Sequence, residues 1–281
     1  MKFGIHLSTF TQEWDEDVAP YVSVAAEMGY DGVEFPLVDP HTFNRGAARA
    51  ALRATSLACT CGTGLSAAAD ITSEDATLRG AGEAHLRRCV EICHELESEV
   101  LCGVLYAPWG VTGRRRTEGA LWSIDVLGRV ADYAATHGVT LAVELLNRYE
   151  GSLLNTVEDG LHFVRRIGAA NVGLHLDTFH LSIEEKDLGW AVIQAGERMV
   201  HLHVCENDRG VPGSGAVRWR ALERALRTIG YDGWVTLESF VTANCEVGDA
   251  VAIWRNIESS RRYVAEEGIS FMHALFEEVP S

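Results

Sequence analysis

Residues 140–177 read TLAVELLNRYEGSLLNTVEDGLHFVRRIGAANVGLHLD: an apolar run (TLAVELL, 140–146), a longer amphipathic stretch, a glycine at 168 and a second apolar run (VGLHLD, 172–177). The same unit recurs along the chain. The other runs are FGIHLS (3–8), GVEFPL (32–37), LACTCG (57–62), VLCGVL (100–105), VHLHV (200–204) and WVTLES (234–239). Near-continuous hydrophobic strands of this kind belong in a parallel sheet covered by helices. Between the runs the spacing turns helical. Val18, Tyr21, Val22 and Ala25 fall at i, i+3, i+4 and i+7, and Trp219, Leu222, Leu226 and Ile229 do nearly the same. Gly29, Gly32, Gly138, Gly168, Gly230 and Gly233 stand at helix-to-strand turns, where a left-handed cap is expected. Eight units of about 35 residues each predict an α/β fold, a single (β/α)8 TIM barrel forming one domain over residues 1–281. An open doubly wound sheet is the alternative; it is weakened because His6-Leu7-Ser8 stands where a glycine-rich fingerprint would be. The charged tail after Val264 is expected to pack loosely on the rim.

Composition narrows the function. With 47% hydrophobic and 23% charged residues in 281, the chain is neither disordered nor fibrous. No apolar run approaches the roughly 18 residues of a membrane span. The opening MKFGIHLSTFTQEWDE lacks the apolar core and cleavage site of a secretory signal, so a cytoplasmic protein with seven reduced cysteines is expected. Cys59 and Cys61 alternate on a strand and Cys89 and Cys93 share a helix face; neither pair meets a matching second pair, so no zinc finger is expected. The net charge of −16 repels phosphate backbones and anionic lipid, so neither nucleic acid nor membrane is an expected partner. Arg114-Arg115-Arg116, the one basic run, is expected in a solvated loop.

In a barrel of this kind the chemistry sits at the carboxyl ends of the strands. Four consecutive runs end in metal-ligand types: Glu144, Asp177, His203 and Glu238. They are 33, 26 and 35 residues apart, each close to one βα unit, so the four side chains should converge on one side of the mouth. Any one strand-end acid alone is an ordinary salt-bridge or capping residue. Three together repel by a few kcal/mol per pair at an effective dielectric of about 20. A divalent cation removes that penalty along with the cost of burying the carboxylates. Three carboxylates and one imidazole form a mostly hard donor set, suited to Mn²⁺, Mg²⁺ or Co²⁺ rather than structural zinc. Glu150, His180 and Arg209 follow on the next loops and can bind substrate oxygens, or serve as a capping acid, a core histidine and a surface arginine. His201 is expected on the face opposite His203, in a structural role. GVPGSGAV (210–217) follows the seventh run, where barrels often place a phosphate; its short Gly-x-Gly is a weak signal.

ELLNRYE, LDTFHLSIEE, the HLHxxExxR arrangement around His203 and Arg209, and LESF together resemble the ketose 3-epimerases (the D-tagatose and D-psicose, or D-allulose, 3-epimerases) of the xylose isomerase-like barrel superfamily. GYDGVEFPLVDP and IGYDGWVTLESF extend the resemblance to nearly the whole chain. It implies that Glu144, Asp177, His203 and Glu238 bind one divalent metal, usually Mn²⁺, and that Glu150, His180 and Arg209 contact substrate. Trp14, Glu34 and Trp109, after strands one, two and four, are candidates to line the sugar pocket. This chain reads LESF where many members read MEPF or LEPF, and VCENDR where GEANR or GESHR is more usual, which bears on pocket shape and substrate.

The implied reaction is inversion at carbon 3 of a free ketose, of D-tagatose, D-fructose, D-psicose or L-ribulose type, through an enediolate. Glu144 and Glu238 would act as acid and base on opposite faces. A small sugar is the implied partner, and a homodimer or homotetramer the implied assembly. An aldose–ketose isomerase, a sugar-phosphate epimerase or a keto-glycoside lyase would use the same strand-end residues. An apurinic endonuclease and a non-catalytic sugar-sensing barrel are rivals of other classes. The first needs a basic groove, which the charge opposes, and the complete ligand set speaks against the second.

Overall fold

Eight strands alternate with helices throughout the computed structural model, which describes residues 1–113 and 117–276. The strands are β1 Lys2–His6, β2 Gly32–Pro36, β3 Ala58–Leu65, β4 Val100–Pro108, β5 Thr140–Glu144, β6 Val172–Asp177, β7 Met199–Val204 and β8 Trp234–Leu237. All pair in parallel and in chain order, and β8 returns to β1 through Phe3↔Val235 and Gly4↔Thr236. The sheet is therefore a closed barrel, which excludes the open doubly wound arrangement and leaves no sheet edge to protect.

The helices among the described residues are α1 Ala19–Met28, α2 Arg45–Thr55, α3 Ala76–Glu95, α4 Thr117–Ala135, α5 Val157–Ile167, α6 Thr178–Glu184, α7 Leu188–Ala195, α8 Trp219–Ile229, α9 Glu246–Ala250 and α10 Arg261–Phe276. None is long and apolar enough to cross a membrane. Strand residues alternate between these helices and the lumen. A Cβ on Gly160 of α5 would strike Leu174, and one on Gly268 of α10 would strike Leu237, so both leucines face outward. Their neighbours His175, Thr236 and Glu238 then face inward, as does Asp177.

Three expectations are corrected. Gly29, Gly138, Gly168 and Gly230 take the left-handed cap conformation, but Gly32 and Gly233 do not. Gly32 lies within β2, where a Cβ would stand 2.4 Å from the Trp234 ring and 2.6 Å from the Ala58 carbonyl. Space, not a positive φ, requires glycine there. The tail is not loose: α10 buries Val264, Ala265, Ile269, Met272, Leu275 and Phe276, and the Tyr30 hydroxyl donates to the Ala265 carbonyl at 2.7 Å. Its apolar residues recur at helical spacing, between the charged positions Arg261, Arg262, Glu266 and Glu267. His201 is the third correction and belongs to the site below. The arginine run at 114–116 and the last residues, 277–281, lie outside the described residues.

Candidate active site

β5 and β6 end on Glu144 and Asp177, β7 carries His203 one residue before its end, and Glu238 follows β8 directly. Closure of the barrel brings these four together, one donor atom of each lying within 4.8 Å of the others. Hydrogen bonds outside the quartet aim two of them. Asp177 caps α6 by accepting from the Phe179 N–H through Oδ1 at 2.7 Å, which leaves Oδ2 facing the quartet. His203 uses Nε2 on Glu34 Oε1, 2.6 Å away, and keeps Nδ1 for the quartet, 3.5 Å from Glu238 Oε2. Asp177 Oδ2 and His203 Nδ1 are buried with no hydrogen-bond partner. A buried polar atom in that condition costs about 1–3 kcal/mol. Two of them beside two further carboxylates fit a cation, and the four residues can hold one divalent ion.

The local field is consistent with that fit. Burial, reinforced by the charge of Glu238, pushes Glu144 well above the ordinary carboxylate range. Burial pushes Asp177 up as well. Burial also opposes ionisation of Glu238, but His203, His6 and Arg209 outweigh it and hold the group down to about 2. Against its own burial, His203 is held well above 6.5 by Glu34 and Glu238. With no ion bound, the quartet thus carries protons that a cation would displace.

Glu150, His180 and Arg209 gather on one side of the quartet. Glu150 receives Arg209 Nη2 on both oxygens at 3.0 Å, Asn147 Nδ2 at 3.0 Å and Trp109 Nε1 at 3.3 Å. Burial would raise its pKa, but Arg209 and His180 bring it below the usual value. His180 Nδ1 accepts from the backbone and side-chain nitrogens of Asn147 at 3.1 and 2.8 Å. Burial lowers the His180 pKa, so the ring is neutral, and its proton sits on Nε2, 3.6 Å from Glu144 Oε1. Arg209 lies between Phe179 and Phe240, its guanidinium carbon 4.0 and 5.3 Å from the ring centroids. Its Nε is buried and unpartnered.

Arg209 also has φ +67, a strained backbone for a residue with a Cβ, which persists only where surroundings over-determine it. The surroundings do so here. The Arg209 N–H donates to the Glu206 carbonyl at 2.9 Å, and Ser239 Oγ donates to the Arg209 carbonyl and, at 3.2 Å, to that of Gly210. Ser239, the residue that makes LESF, ties the Arg209 loop to the residue after Glu238.

These groups open onto a cavity of about 390 Å³, within the range of small-molecule sites. Trp14 and Trp109 form one wall, edge to face with centroids 6.1 Å apart, and Phe240 lies 6.3 Å from Trp14. The described charges lining the cavity are Glu34, Glu144, Glu150 and Glu238 against Arg209 alone, with His6, His180 and His203 between them.

The face expected for His201 was wrong. Residues two apart on a strand share a face, and His201 Nε2 points into the lumen, 2.8 Å from Glu34 Oε2. His175, not singled out in the sequence, is a third lumen imidazole, its ring 4.0 Å from that of His203. Glu206 was also missed, although it is the glutamate of HLHxxExxR. Its carboxylate accepts from the N–H groups of Asn207, Gly213 and Val217 and from Trp219 Nε1, at 2.7–3.0 Å. The glycine-rich 210–217 loop therefore wraps an internal carboxylate instead of offering its donors to a phosphate.

The xylose isomerase-like TIM barrel family model matches residues 22–274. A ketose 3-epimerase of Arthrobacter globiformis is 36% identical over 97% of this chain and 96% of its own. A D-psicose 3-epimerase of Agrobacterium fabrum is 33% identical over 92% and 91%. The crystal structure of a Methylomonas sp. D-allulose 3-epimerase with D-allulose superposes with a TM-score of 0.93, at 32% identity, covering 98% of this chain and 97% of that one.

Glu206→Ala leaves three backbone N–H groups and an indole N–H without their acceptor. With each such group costing about 1–3 kcal/mol, chemical denaturation is expected to show a loss of roughly 3 kcal/mol or more. A loss under about 0.5 kcal/mol would mean that the loop does not depend on this carboxylate.

Proposed function

This chain belongs to the xylose isomerase-like TIM barrel family, among its ketose 3-epimerases, and from that premise we propose that it inverts carbon 3 of a free ketose using Glu144 and Glu238 as acid and base. The observation that carries the proposal is the convergence of Glu144, Asp177, His203 and Glu238 with two unpartnered buried atoms aimed inward. In this reading the four are the ligands of one divalent ion, Mn²⁺ by preference, with Co²⁺ or Mg²⁺ also suited to the donors. A bound ion would supply Lewis-acid polarisation of the carbonyl at carbon 2 and so acidify the carbon 3 proton.

The remaining work falls to the side chains. One of Glu144 and Glu238 removes that proton, and the other returns one to the opposite face of the enediolate, which is what inversion requires. His180 Nε2 and Arg209 Nε donate to substrate oxygens, Glu150 accepts, and together they present a single carbon to the carboxylates. Trp14 and Trp109 receive the apolar face of the sugar. The lining of the cavity favours a free sugar over a phosphorylated one: the arginine among its described residues is already paired with Glu150. The proposal includes a cytoplasmic homodimer or homotetramer built from one barrel over residues 1–281; the free state of all seven cysteines supports a reducing compartment.

In D₂O, with D-fructose, D-tagatose, L-ribulose and a phosphorylated ketose offered in turn, a free ketose should take up deuterium at carbon 3 without carbonyl migration. Glu238→Gln should lower that rate by about 10³-fold. Aldose formation, or turnover confined to the phosphorylated sugar, would overturn the assignment.

EDTA should stop the exchange and Mn²⁺ or Co²⁺ restore it. Glu144 and His203 are both held above their usual values and must shed protons to ligate, so Mn²⁺ affinity should tighten as pH rises through the range in which they lose them. Activity that survives exhaustive chelation, or an affinity flat in pH, would contradict the metal reading.

A further inference from the structure

Glu34 on β2 is fully buried, and no lysine or arginine among the described residues reaches it. An isolated buried carboxylate is costly, yet this one is held entirely by neutral-residue and imidazole donors. Oε1 pairs with His203 Nε2 at 2.6 Å; Oε2 accepts from Thr60 Oγ1 at 2.6 Å and Cys102 Sγ at 3.1 Å and lies 2.8 Å from His201 Nε2. β2 and β7 are not neighbours in the barrel, so the contact to His203 crosses the lumen.

Glu34, Cys102, His201 and His203 have donor types that could form a second cation site. The distances decide against it. Donors sharing one ion at about 2.0–2.3 Å stand roughly 3 Å or more from one another, whereas Glu34 is 2.6 and 2.8 Å from its two imidazoles. Those separations are too short for two ligands of one ion, so the group forms a cradle held by direct contacts, with no room for a shared cation.

The cradle acts on the quartet through one bond. By accepting from Nε2, Glu34 keeps the His203 proton on that nitrogen and turns the Nδ1 lone pair toward Glu144, Asp177 and Glu238. A carboxylate behind a ligating histidine also makes the imidazole a better donor, an effect that commonly changes metal affinity 10–100-fold. We propose that Glu34 is a positioning residue for the divalent ion, setting the tautomer and orientation of His203 from the far side of its ring. The inference rests on the metal reading of the quartet. It adds a group that is not itself a ligand and takes no proton from the sugar.

Mn²⁺ titrations of the wild-type protein, Glu34→Gln and Glu238→Gln, followed by calorimetry, separate the two ideas. The expected result is a 10–100-fold weaker Mn²⁺ affinity in Glu34→Gln, with a larger loss in Glu238→Gln. A Glu34→Gln affinity equal to wild type, with Glu238→Gln impaired, overturns the role of Glu34 and leaves the metal site standing. No Mn²⁺ binding by wild type overturns both. A purely structural role would lower the melting temperature of Glu34→Gln without moving the affinity of the folded protein. Should that variant fail to fold, ¹⁵N-histidine NMR of the wild-type Zn²⁺ complex decides. The expected signature is one imidazole with metal-shifted Nδ1 and a retained, downfield Nε2–H; Nε2 ligation or loss of that proton refutes the proposal.

Discussion

Like charges forced together inside a barrel are the constraint on which the rest of this structure turns. Glu144, Asp177 and Glu238 arrive at one point because β5, β6 and β8, which carry them, are nearby staves of a closed sheet, not because the side chains attract. The fold sets the positions, and the chemistry must then make them tolerable. The other buried acids of the region show how the protein normally does this. Glu206 is wrapped by three backbone N–H groups and an indole, and Glu150 is met by the forked end of Arg209. Glu34 rests on two imidazoles, a hydroxyl and a thiol. Of these acids, Asp177 in the quartet keeps a carboxylate oxygen with nothing to bind, beside the equally unpartnered His203 Nδ1. That contrast marks the site more sharply than any single residue does.

Around the quartet the protein spends conformational strain to hold the one nearby guanidinium among the described residues. Arg209 adopts a left-handed backbone, is clasped by Ser239 and Glu206, and is sandwiched by Phe179 and Phe240. Strain retained against so many restraints is a feature of functional positions. It leaves Arg209 with one face committed to Glu150 and its Nε still able to donate.

The barrel and the quartet were legible in the sequence because both follow from local facts: apolar runs end at strand mouths, and the runs are spaced one unit apart. Glu144, Asp177, His203 and Glu238 could be chosen by position alone. What cradles them could not. His201 was placed on the wrong face, although the two-residue period puts it beside His203. The bond from Glu34 to His203 joins residues 169 apart on strands that do not pair, so no periodicity reports it. Glu206 and Ser239 hold backbone groups, and backbone donors carry no letter in a sequence. In α10 the charges of the solvent face hid an apolar stripe that only the helical period reveals.

The central claim is that the four strand-end side chains share one divalent ion. Anomalous diffraction at the manganese edge from crystals equilibrated with Mn²⁺ addresses it directly. The account predicts one anomalous peak about 2.0–2.4 Å from a carboxylate oxygen of each of Glu144, Asp177 and Glu238 and from His203 Nδ1. No peak there at saturating Mn²⁺, or one bound elsewhere in the barrel, would contradict it.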